Sequence, residues 1–406
     1  MIAPWQFSEA LPAAIFAEVR LRTIFECCRW DPQVEDVAAL ADFALILQPD
    51  TWRTLAGYAE QLAAETIAAE QALIQSPALH DLLGLPRVIT QHWAHPVVRQ
   101  GSARDVRLIR FDFHLTPDGW RISEANADVP GGFIEAAGFS HLMAEQFPSL
   151  RTVGDPAAMI ASAICEQVGV GARVALVHAT AFTDDRQVMT YLAQYCERAG
   201  LQTYLVSPAQ VRWHGETAAI ETDWAHSPVD FVLRFFPAEW LPNLSRSYPW
   251  ADFFTPAHIP SCNPTTALLV QSKRFPLVWD ALNIDLPTWR ALLPETRDPR
   301  QLGGEVVDQW VLKPALGRVG EDIAIAGVTQ SKELEKIHRH ARRHPREWAA
   351  QRRFEINPLP DIGGNWYPCV GVYTVNGRAA GAYGRLNRSP LINATSTDVA
   401  ILTYAE

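Results

Sequence analysis

RFDFHLTPDGWRISEAN, residues 110–126, alternates apolar and polar side chains on both sides of a Thr-Pro-Asp-Gly turn at residues 116–119. Such alternation around a turn predicts a β-hairpin. A type I turn followed by Gly119 in the left-handed region gives a three-residue loop with a bulge. This loop would pair Thr116 with Trp120 and thereby set the register of the two strands.

The predicted register brings four polar side chains to one face of the hairpin. Asp112 falls opposite Glu124 and Arg110 falls opposite Asn126, because the numbers of facing residues then add up to the same value. The apolar residues of the first strand point to the other face, into a core: Ile109, Phe111, Phe113 and Leu115. A two-residue loop would shift the register by one residue and break this grouping.

The polar face has two chemical interpretations. Carboxylates directly opposite each other repel, and together with an amide they suit Mg²⁺, which completes its shell with phosphate and water. Arg110 beside them suits a transferred phosphoryl group, because its planar fork matches phosphate oxygens. The alternative is a solvated hairpin face with an Arg–Asp ion pair. The pattern alone gives the two interpretations equal weight.

Length and charge narrow the class of protein. A chain of 406 residues exceeds the roughly 250–300 residues that one core can hold, so we expect several units. Thirty-five Lys and Arg against 45 Asp and Glu give a net charge of −10, which disfavours a nucleic-acid partner but leaves open a small anionic ligand. No run approaches the ~20 apolar residues of a membrane span, so no membrane partner is expected. The first residues lack a basic leader and the six cysteines form no CxxC pair, so we expect a cytoplasmic protein with reduced thiols.

The order of predicted elements indicates a mixed α/β fold. The first 100 residues are predicted to be mostly helical, with a long helix over 51–74. From residue 172 a β-α-β pattern follows: strands over 174–178, 202–206 and 230–236 with a helix over 188–199, which predicts a parallel sheet. Further on we expect helices near 272–282 and 332–343, a strand at 310–313, and a hairpin around Asn376-Gly377.

Six segments in fixed order support the functional interpretation of the hairpin. They are RFDF with E-x-N-A-D (110–128), FTDDRQVMTYLAQYCERAGLQTYLV (182–206), DFVLRFFPAEWLP (230–242), LLVQSKRFPLVWDAL (268–282), VLKPALGRVGEDI (311–323) and AGAYGRLNRSPLINATS (380–396). Together they resemble the glutathionylspermidine synthetase family, which are ATP-grasp carboxylate–amine ligases. The resemblance covers most of the chain but only the family's synthetase part, without the amidase domain of its bifunctional members.

The resemblance implies a role for individual residues. The implied Mg²⁺ ligands are Asp112, Glu124 and Asn126; Arg110 would contact the transferred phosphoryl group, and Arg385 the reacting acyl group. The implied ATP site comprises Lys273 and Lys313 at the phosphates, Gly317 and Gly320 in a flexible lid loop, and Gln351 on the adenine side. Without the resemblance, the GRVG sequence at 317–320 would be interpreted as an ordinary surface loop.

The resemblance also implies a fold and a reaction. It implies an ATP-grasp-like fold, with a discontinuous catalytic region (1–150 and 261–406, lid at about 285–350) and a Rossmann-like pre-ATP-grasp domain (151–260). The implied reaction joins a carboxylate (a glutathione-like peptide or an amino acid) to an amine (a polyamine or an amino acid) through an acyl phosphate, with ATP and two Mg²⁺. Val319 and Leu386 stand where the family has acids, and Gly131-Gly132 where it has hydroxyls. The alternatives are therefore a catalytically altered ATP-binding protein that acts by binding a partner, or an ATP-grasp phosphotransferase without ligation.

Overall fold

The computed structural model describes residues 3–30, 33–34, 37–93, 105–215, 217–222, 225–245, 248–254, 259–302, 307–317, 322–361 and 363–405. For residues 33–34, 37–38, 225 and 307 the description covers the backbone only. Within these ranges, no helix is long and apolar enough to cross a membrane. All six cysteines are free, and all except Cys165 are buried.

The α-helices are, in chain order, α1 (Ala13–Phe25), α2 (Pro49–Ile74), α3 (Arg87–Trp93), α4 (Ser140–Ala144), α5 (Pro156–Val168), α6 (Thr183–Arg198), α7 (Leu268–Gln271), α8 (Pro287–Leu292) and α9 (Ser331–Arg343). A short π-helix, Ile134–Phe139, precedes α4. The predicted helices over 51–74, 188–199 and 332–343 correspond to α2, α6 and α9.

The strands are, in chain order, β1 (Trp5–Phe7), β2 (Gln33–Val34), β3 (Val37–Ala38), β4 (Leu40–Leu47), β5 (Leu108–Thr116), β6 (Gly119–Asn126), β7 (Leu150–Thr152), β8 (Arg173–His178), β9 (Gln202–Val206), β10 (Val211–His214), β11 (Thr217–Thr222), β12 (Ala225–Val229), β13 (Phe231–Phe235), β14 (Ser261–Cys262), β15 (Thr296–Arg297), β16 (Trp310–Pro314), β17 (Trp348–Arg352), β18 (Leu359–Asp361), β19 (Gly364–Val375), β20 (Arg378–Asn387) and β21 (Thr397–Tyr404).

The largest sheet joins the two ends of the chain. Its strand order is β1-β4-β21-β20-β19-β5-β6, and β4 runs parallel to β21. One face packs on α2, where Leu55, Ala59 and Leu62 belong to the same buried cluster as Phe111 and Phe113. On the opposite face, one end of the strands is apolar and packs on the π-helix and α5. The other end of that face is polar and holds the candidate site.

Two smaller sheets are formed by strands that lie in the sequence between β7 and β19. The first has the order β14-β13-β8-β9 and every pair in it is parallel, which confirms the predicted parallel sheet. The second has the order β15-β17-β16 and packs on α9 through a buried cluster that includes Trp310, Leu312 and Ile337. The division of the chain at residues 150 and 260 stays a prediction.

Two predicted elements differ from the structure. The expectation of a mostly helical first 100 residues misses β4, whose apolar run LADFALIL has neither a helical nor an alternating period. The helix expected near 272–282 is interrupted, since α7 ends at Gln271 and a 3₁₀ helix begins at Phe275. Pro276 cannot donate the backbone hydrogen bond that would extend α7, so Lys273 lies in a turn between the two helices.

The β5–β6 hairpin has the predicted residue pairs on its polar face, but its loop is shorter than predicted and a bulge follows in β6. Thr116 pairs with Gly119, so the loop holds only two residues and the expected pairing with Trp120 is wrong. One extra residue in β6, Ser123, forms a bulge between the pairs Phe113–Ile122 and Asp112–Glu124. The bulge restores the register that the shorter loop had shifted. The C-terminal hairpin is as predicted, with positive φ at Asn376 and Gly377.

A buried ion pair joins the end of β6 to the parallel sheet. Arg234 in β13 donates to Asp128, and both side chains are almost fully buried. Arg234 also donates to the carbonyl of Asn263 (3.1 Å), while the Asn263 amide bonds both backbone groups of Leu108 at the start of β5 (2.7 and 2.8 Å). The hairpin that carries the polar face is therefore held to β13 by charge and by hydrogen bonds.

Replacing Arg234 with Met should destabilise the protein strongly, because the Asp128 carboxylate would stay buried without its cation. We expect a loss of about 3–5 kcal/mol in the free energy of unfolding, measured by urea denaturation. The matched control is Arg53→Met, which breaks an exposed helical pair with Asp50 and should cost no more than about 1 kcal/mol. Equal unfolding midpoints for the two variants would contradict the role of the buried pair.

Candidate active site

Strand register assembles the polar site across four strands of the large sheet. β19 lies between β5 and β20, so Gly371 is flanked by Asp112 on one side and Tyr383 on the other. One step along, Tyr373 lies opposite Arg110, and Cys369 lies opposite Arg385. With the β5–β6 pairs added, all five residues predicted for the metal and reacting groups lie on one face: Arg110, Asp112, Glu124, Asn126 and Arg385.

Arg110 and Asp112 form a bidentate ion pair at the centre of this face. The Arg110 Nε and Nη2 atoms donate to the two Asp112 carboxylate oxygens at 2.7 and 2.9 Å. The remaining guanidinium nitrogen donates to the Gly131 carbonyl at 2.9 Å, and the Asn126 amide donates to Asp112 at 3.1 Å. Burial opposes the charge on Arg110, but Asp112 outweighs it and raises the Arg110 pKa.

Two lysines approach Glu124 and the bulge from other segments. Lys273, in the turn after α7, lies 3.0 Å from a Glu124 carboxylate oxygen and donates to the Gly317 carbonyl at 2.6 Å. Lys313, in β16, donates to the Ser123 carbonyl at 3.0 Å and to Gln351 Oε1 at 2.7 Å. The bulge thus supplies a backbone acceptor for a lysine that belongs to a different sheet.

The two lysines set the charge of this corner of the site. Burial disfavours an ionised Glu124, but Lys273 and Lys313 outweigh it and lower its pKa to about 2. Burial, opposed by Glu124, lowers the pKa of Lys313 to about 8. At neutral pH Glu124 is therefore a carboxylate that faces the Lys273 and Lys313 side chains. Phosphate oxygens could bind to the same lysines.

These residues line a cleft of about 730 Å³ between the sheets. One wall comes from the β15-β17-β16 sheet, called the lid-side sheet because most of it lies in the predicted lid, and from neighbouring loops. Val311, Ile325 and Phe354 line this wall together with Lys313 and Gln351. The opposite wall holds Phe235, Pro237 and Asp185, which follow the carboxyl ends of β13 and β8 in the parallel sheet. Carboxyl ends of parallel strands are the usual ligand edge of such sheets. The polar face lies between the two walls.

The predicted metal ligands are a small set of oxygen donors on the polar face. Among the described residues, no group of three or more His, Cys, Asp and Glu side chains is placed to hold a metal. Asp112, Glu124 and Asn126 offer two carboxylates and one amide on one face, and each carboxylate is neutralised by a cation of the site. An oxygen set of this size fits a Mg²⁺ whose other ligands are phosphate and water.

The structure brings the predicted site residues together, except for Gly320, which it does not describe. Arg110, Asp112, Glu124, Asn126, Lys313, Gln351 and Arg385 all line the cleft. Lys273 adjoins it through Glu124, and Gly317 is bound to Lys273 through its carbonyl. Gly320 lies outside the described residues, as do the other lid positions 318–321. The roles of all these residues stay predictions.

Sequence reasoning missed several residues of the site. Gly371 has no side chain because a Cβ there would lie 2.7 Å from Arg110 Cδ and 2.9 Å from Asp112 Oδ1. A glycine inside a strand is a sign of close approach, so this position could have been singled out. His114 contacts Ser123 Oγ at 3.1 Å, and burial lowers its pKa to about 4. Tyr383 lies under the Arg110 guanidinium, whose carbon is 5.2 Å from the ring centroid.

Comparison with solved structures identifies the class of fold. The chain is similar to a glutathione synthetase-like effector from Globodera pallida, with a TM-score of 0.64 and 10% sequence identity over 96% of this chain and 97% of that one. At this identity the likeness concerns the fold alone. It confirms the predicted mixed α/β fold of the ATP-grasp synthetases.

Sequence comparison then identifies the family. The glutathionylspermidine synthase preATP-grasp family matches residues 34–402, so the chain belongs to that family. A relative from Haemophilus influenzae, named "Putative acid--amine ligase", is 24% identical over 280 residues, which cover 67% of this chain and 68% of the relative. Both comparisons agree with a carboxylate–amine ligase of the ATP-grasp type.

Adding a methyl group at Gly371 should separate Arg110 from Asp112. In Gly371→Ala the new Cβ would overlap both side chains, so we expect the bidentate pair to be lost. NMR of the Arg110 Nε–H group, or a crystal structure of the variant, measures this directly. Gly57→Ala is the control, because Gly57 lies inside α2 with nothing within 4 Å of the added Cβ. An unchanged Arg110–Asp112 pair in Gly371→Ala would contradict the packing argument.

Proposed function

We propose that the protein is an ATP- and Mg²⁺-dependent ligase that joins a carboxylate to an amine through an acyl phosphate. The observation that carries this proposal is the convergence of two carboxylates, an amide, two lysines and Arg110 at one cleft. This is the charge pattern that phosphoryl transfer requires, since catalysis there is mostly positioning and charge stabilisation. Membership of the family supports the same reaction.

In the proposed first step, an oxygen of the substrate carboxylate attacks the γ-phosphorus of ATP. The bond from this phosphorus to the β,γ-bridging oxygen breaks, and ADP leaves. Lys273 and Lys313 hold phosphate oxygens, and Arg110 stabilises the charge of the transferred phosphoryl group. Asp112, Glu124 and Asn126 would hold Mg²⁺, which supplies positive charge to the phosphates. Gly317, and Gly320 in the lid loop, allow the backbone to approach the nucleotide.

No nucleophile of the protein is needed for this step. Cys369 lines the cleft beside Arg385, but burial raises the pKa of its thiol well above the ordinary value. A buried neutral thiol is a poor nucleophile. The substrate carboxylate therefore reacts directly, and the acyl phosphate forms on the substrate.

The adenine and the reacting acyl group are proposed to bind in different parts of the cleft. The adenine would lie on the lid-side wall, where Gln351 is close to the apolar side chains of Val311 and Phe354. The reacting acyl group would lie near Arg385, which lines the cleft from β20 of the large sheet. We propose a glutathione-like peptide or an amino acid as the carboxylate, and a polyamine or an amino acid as the amine.

An activity screen tests the proposal. The protein is incubated with ATP, Mg²⁺ and pools of carboxylates and amines, and phosphate release and product mass are followed. We expect phosphate release that depends on both substrates and an amide product. Asp112→Asn and Glu124→Gln should lower turnover by at least about 10²-fold, because each removes a charge that holds the metal and phosphates.

The exposed Asp280, which pairs only with Arg290 among the contacts described, offers a matched control. Asp280→Asn should keep wild-type turnover. ATP binding without turnover in every pool would favour the altered ATP-binding protein instead. A phosphorylated carboxylate that never becomes an amide would favour the phosphotransferase.

A further inference from the structure

Amide formation raises a problem of proton transfer that the proposed function leaves open. An alkyl amine with a pKa of about 10.4 is unprotonated in only about one molecule in 2,500 at pH 7. The ammonium nitrogen must lose a proton before its electron pair can attack the acyl phosphate. A side chain placed to accept this proton would contribute a rate factor of about 10²–10⁴.

The acidic and imidazole groups on the polar face are poorly suited to this task. Asp112 is held by Arg110 and Asn126, and Glu124 by Lys273. Both nitrogens of His114 are engaged, Nδ1 with the Pro368 carbonyl at 3.3 Å and Nε2 with Ser123 Oγ at 3.1 Å. An acceptor must therefore come from another part of the cleft wall.

Tyr383 connects the cleft to a buried carboxylate on the next strand. It lines the cleft beside Arg385, and its hydroxyl donates to Asp398 Oδ1 at 2.8 Å. Asp398 lies in β21, directly opposite Arg385 in the strand register, and is 5% exposed. The hydroxyl oxygen keeps lone pairs that can accept a proton while its own hydrogen bonds to Asp398.

We propose that Tyr383 and Asp398 form a relay that accepts the proton lost by the amine substrate. The nitrogen–hydrogen bond of the ammonium breaks and its proton bonds to the Tyr383 oxygen, as the Tyr383 proton passes to Asp398. The nitrogen electron pair then attacks the acyl carbon, and phosphate leaves with the electron pair of the broken carbon–oxygen bond. The nitrogen loses its second proton to the leaving phosphate as the amide forms. This inference rests on the proposed ligase function.

The surroundings of Asp398 suit a carboxylate that exchanges a proton near neutral pH. Arg29 lies 3.6 Å from Asp398 and 3.0 Å from Glu135 in the π-helix, and Arg385 Nε lies 3.8 Å from Asp398. Burial and the nearby Glu135 raise the pKa of Asp398 to about 7, against the opposing effect of the two arginines. Burial and Asp398 raise the pKa of Tyr383 as well, so the phenol passes a proton on without ionising.

Hydroxylamine separates this role from the phosphorylation step. It is an uncharged nucleophile at neutral pH, so it converts an acyl phosphate to a hydroxamate without prior loss of a proton. The wild-type protein is first screened with ATP, Mg²⁺, hydroxylamine and single carboxylates. With a carboxylate that gives a hydroxamate, and an amine that gives an amide, the two products are then compared for Asp398→Asn and Tyr383→Phe.

Both variants should lose amide formation by about 10²–10⁴-fold at pH 7, with a much smaller loss of hydroxamate formation. The loss should shrink as the pH approaches the pKa of the amine, because free amine needs no acceptor. Hydroxamate formation also shows that each variant is folded. Asp280→Asn and Tyr404→Phe are matched controls away from the cleft and should behave as wild type.

Two results would overturn the relay while leaving the ligase intact: wild-type amide formation in both variants, or equal loss of amide and hydroxamate. A loss of amide that stays the same at every pH would also overturn it. A wild-type protein that forms no hydroxamate with any carboxylate would contradict the ligase function itself, and the relay with it.

Discussion

The register of the β5–β6 hairpin is the constraint on which the site depends, and one extra residue sets it. With a two-residue loop and no bulge, Glu124 would pair with Phe111 and point into the core. Ser123 restores the pairing of Asp112 with Glu124 and of Arg110 with Asn126. The same bulge turns the Ser123 carbonyl toward Lys313, so it also ties the hairpin to the lid-side sheet. Bulges beside active sites commonly re-aim side chains in this way.

Charge balance is the second feature of the site. Asp112 is paired with Arg110, Glu124 with Lys273, and Asp398 lies near Arg29 and Arg385. Partly buried charges are tolerated only when they are compensated, so each carboxylate needs its cation. In the proposed reaction, ATP and Mg²⁺ would exchange with these partners, because phosphates replace carboxylates at the lysines and the metal replaces cations at the carboxylates. In this proposal the protein would exchange ion pairs rather than expose unpaired charges.

Much of the fold could be predicted from the sequence, and the reasons are local. The helix α2, the parallel β-α-β segment and the Asn376-Gly377 hairpin all follow from periodicity and turn chemistry. The pairs of the polar face were predicted through the wrong loop, because the prediction took the alternation of β6 as unbroken. The consecutive polar residues Ser123 and Glu124 interrupt that alternation at the position of the bulge. β4 was missed since its apolar run fits either a buried strand or a helix.

The contacts between distant strands could not be predicted, although a glycine inside a strand does indicate close approach at Gly371. Tyr383 and Asp398 meet only because β20 pairs with β21, and Gly371 is constrained only because β19 lies beside β5. Arg110, Lys313 and Arg385 were assigned from motifs, and the structure brings them to one cleft. The Asp128–Arg234 pair links positions 106 residues apart in sequence. Pair contacts of this kind depend on topology, which one sequence specifies only indirectly.

The most direct test of the account is a crystal structure of the protein with Mg²⁺ and a non-hydrolysable ATP analogue. The account predicts a nucleotide in the cleft, with its phosphates contacted by Lys273 and Lys313. It also predicts a metal contacted by Asp112 and Glu124, with the Arg110–Asp112 pair opened. A nucleotide bound elsewhere, or a metal held without these carboxylates while the Arg110–Asp112 pair stays closed, would contradict it.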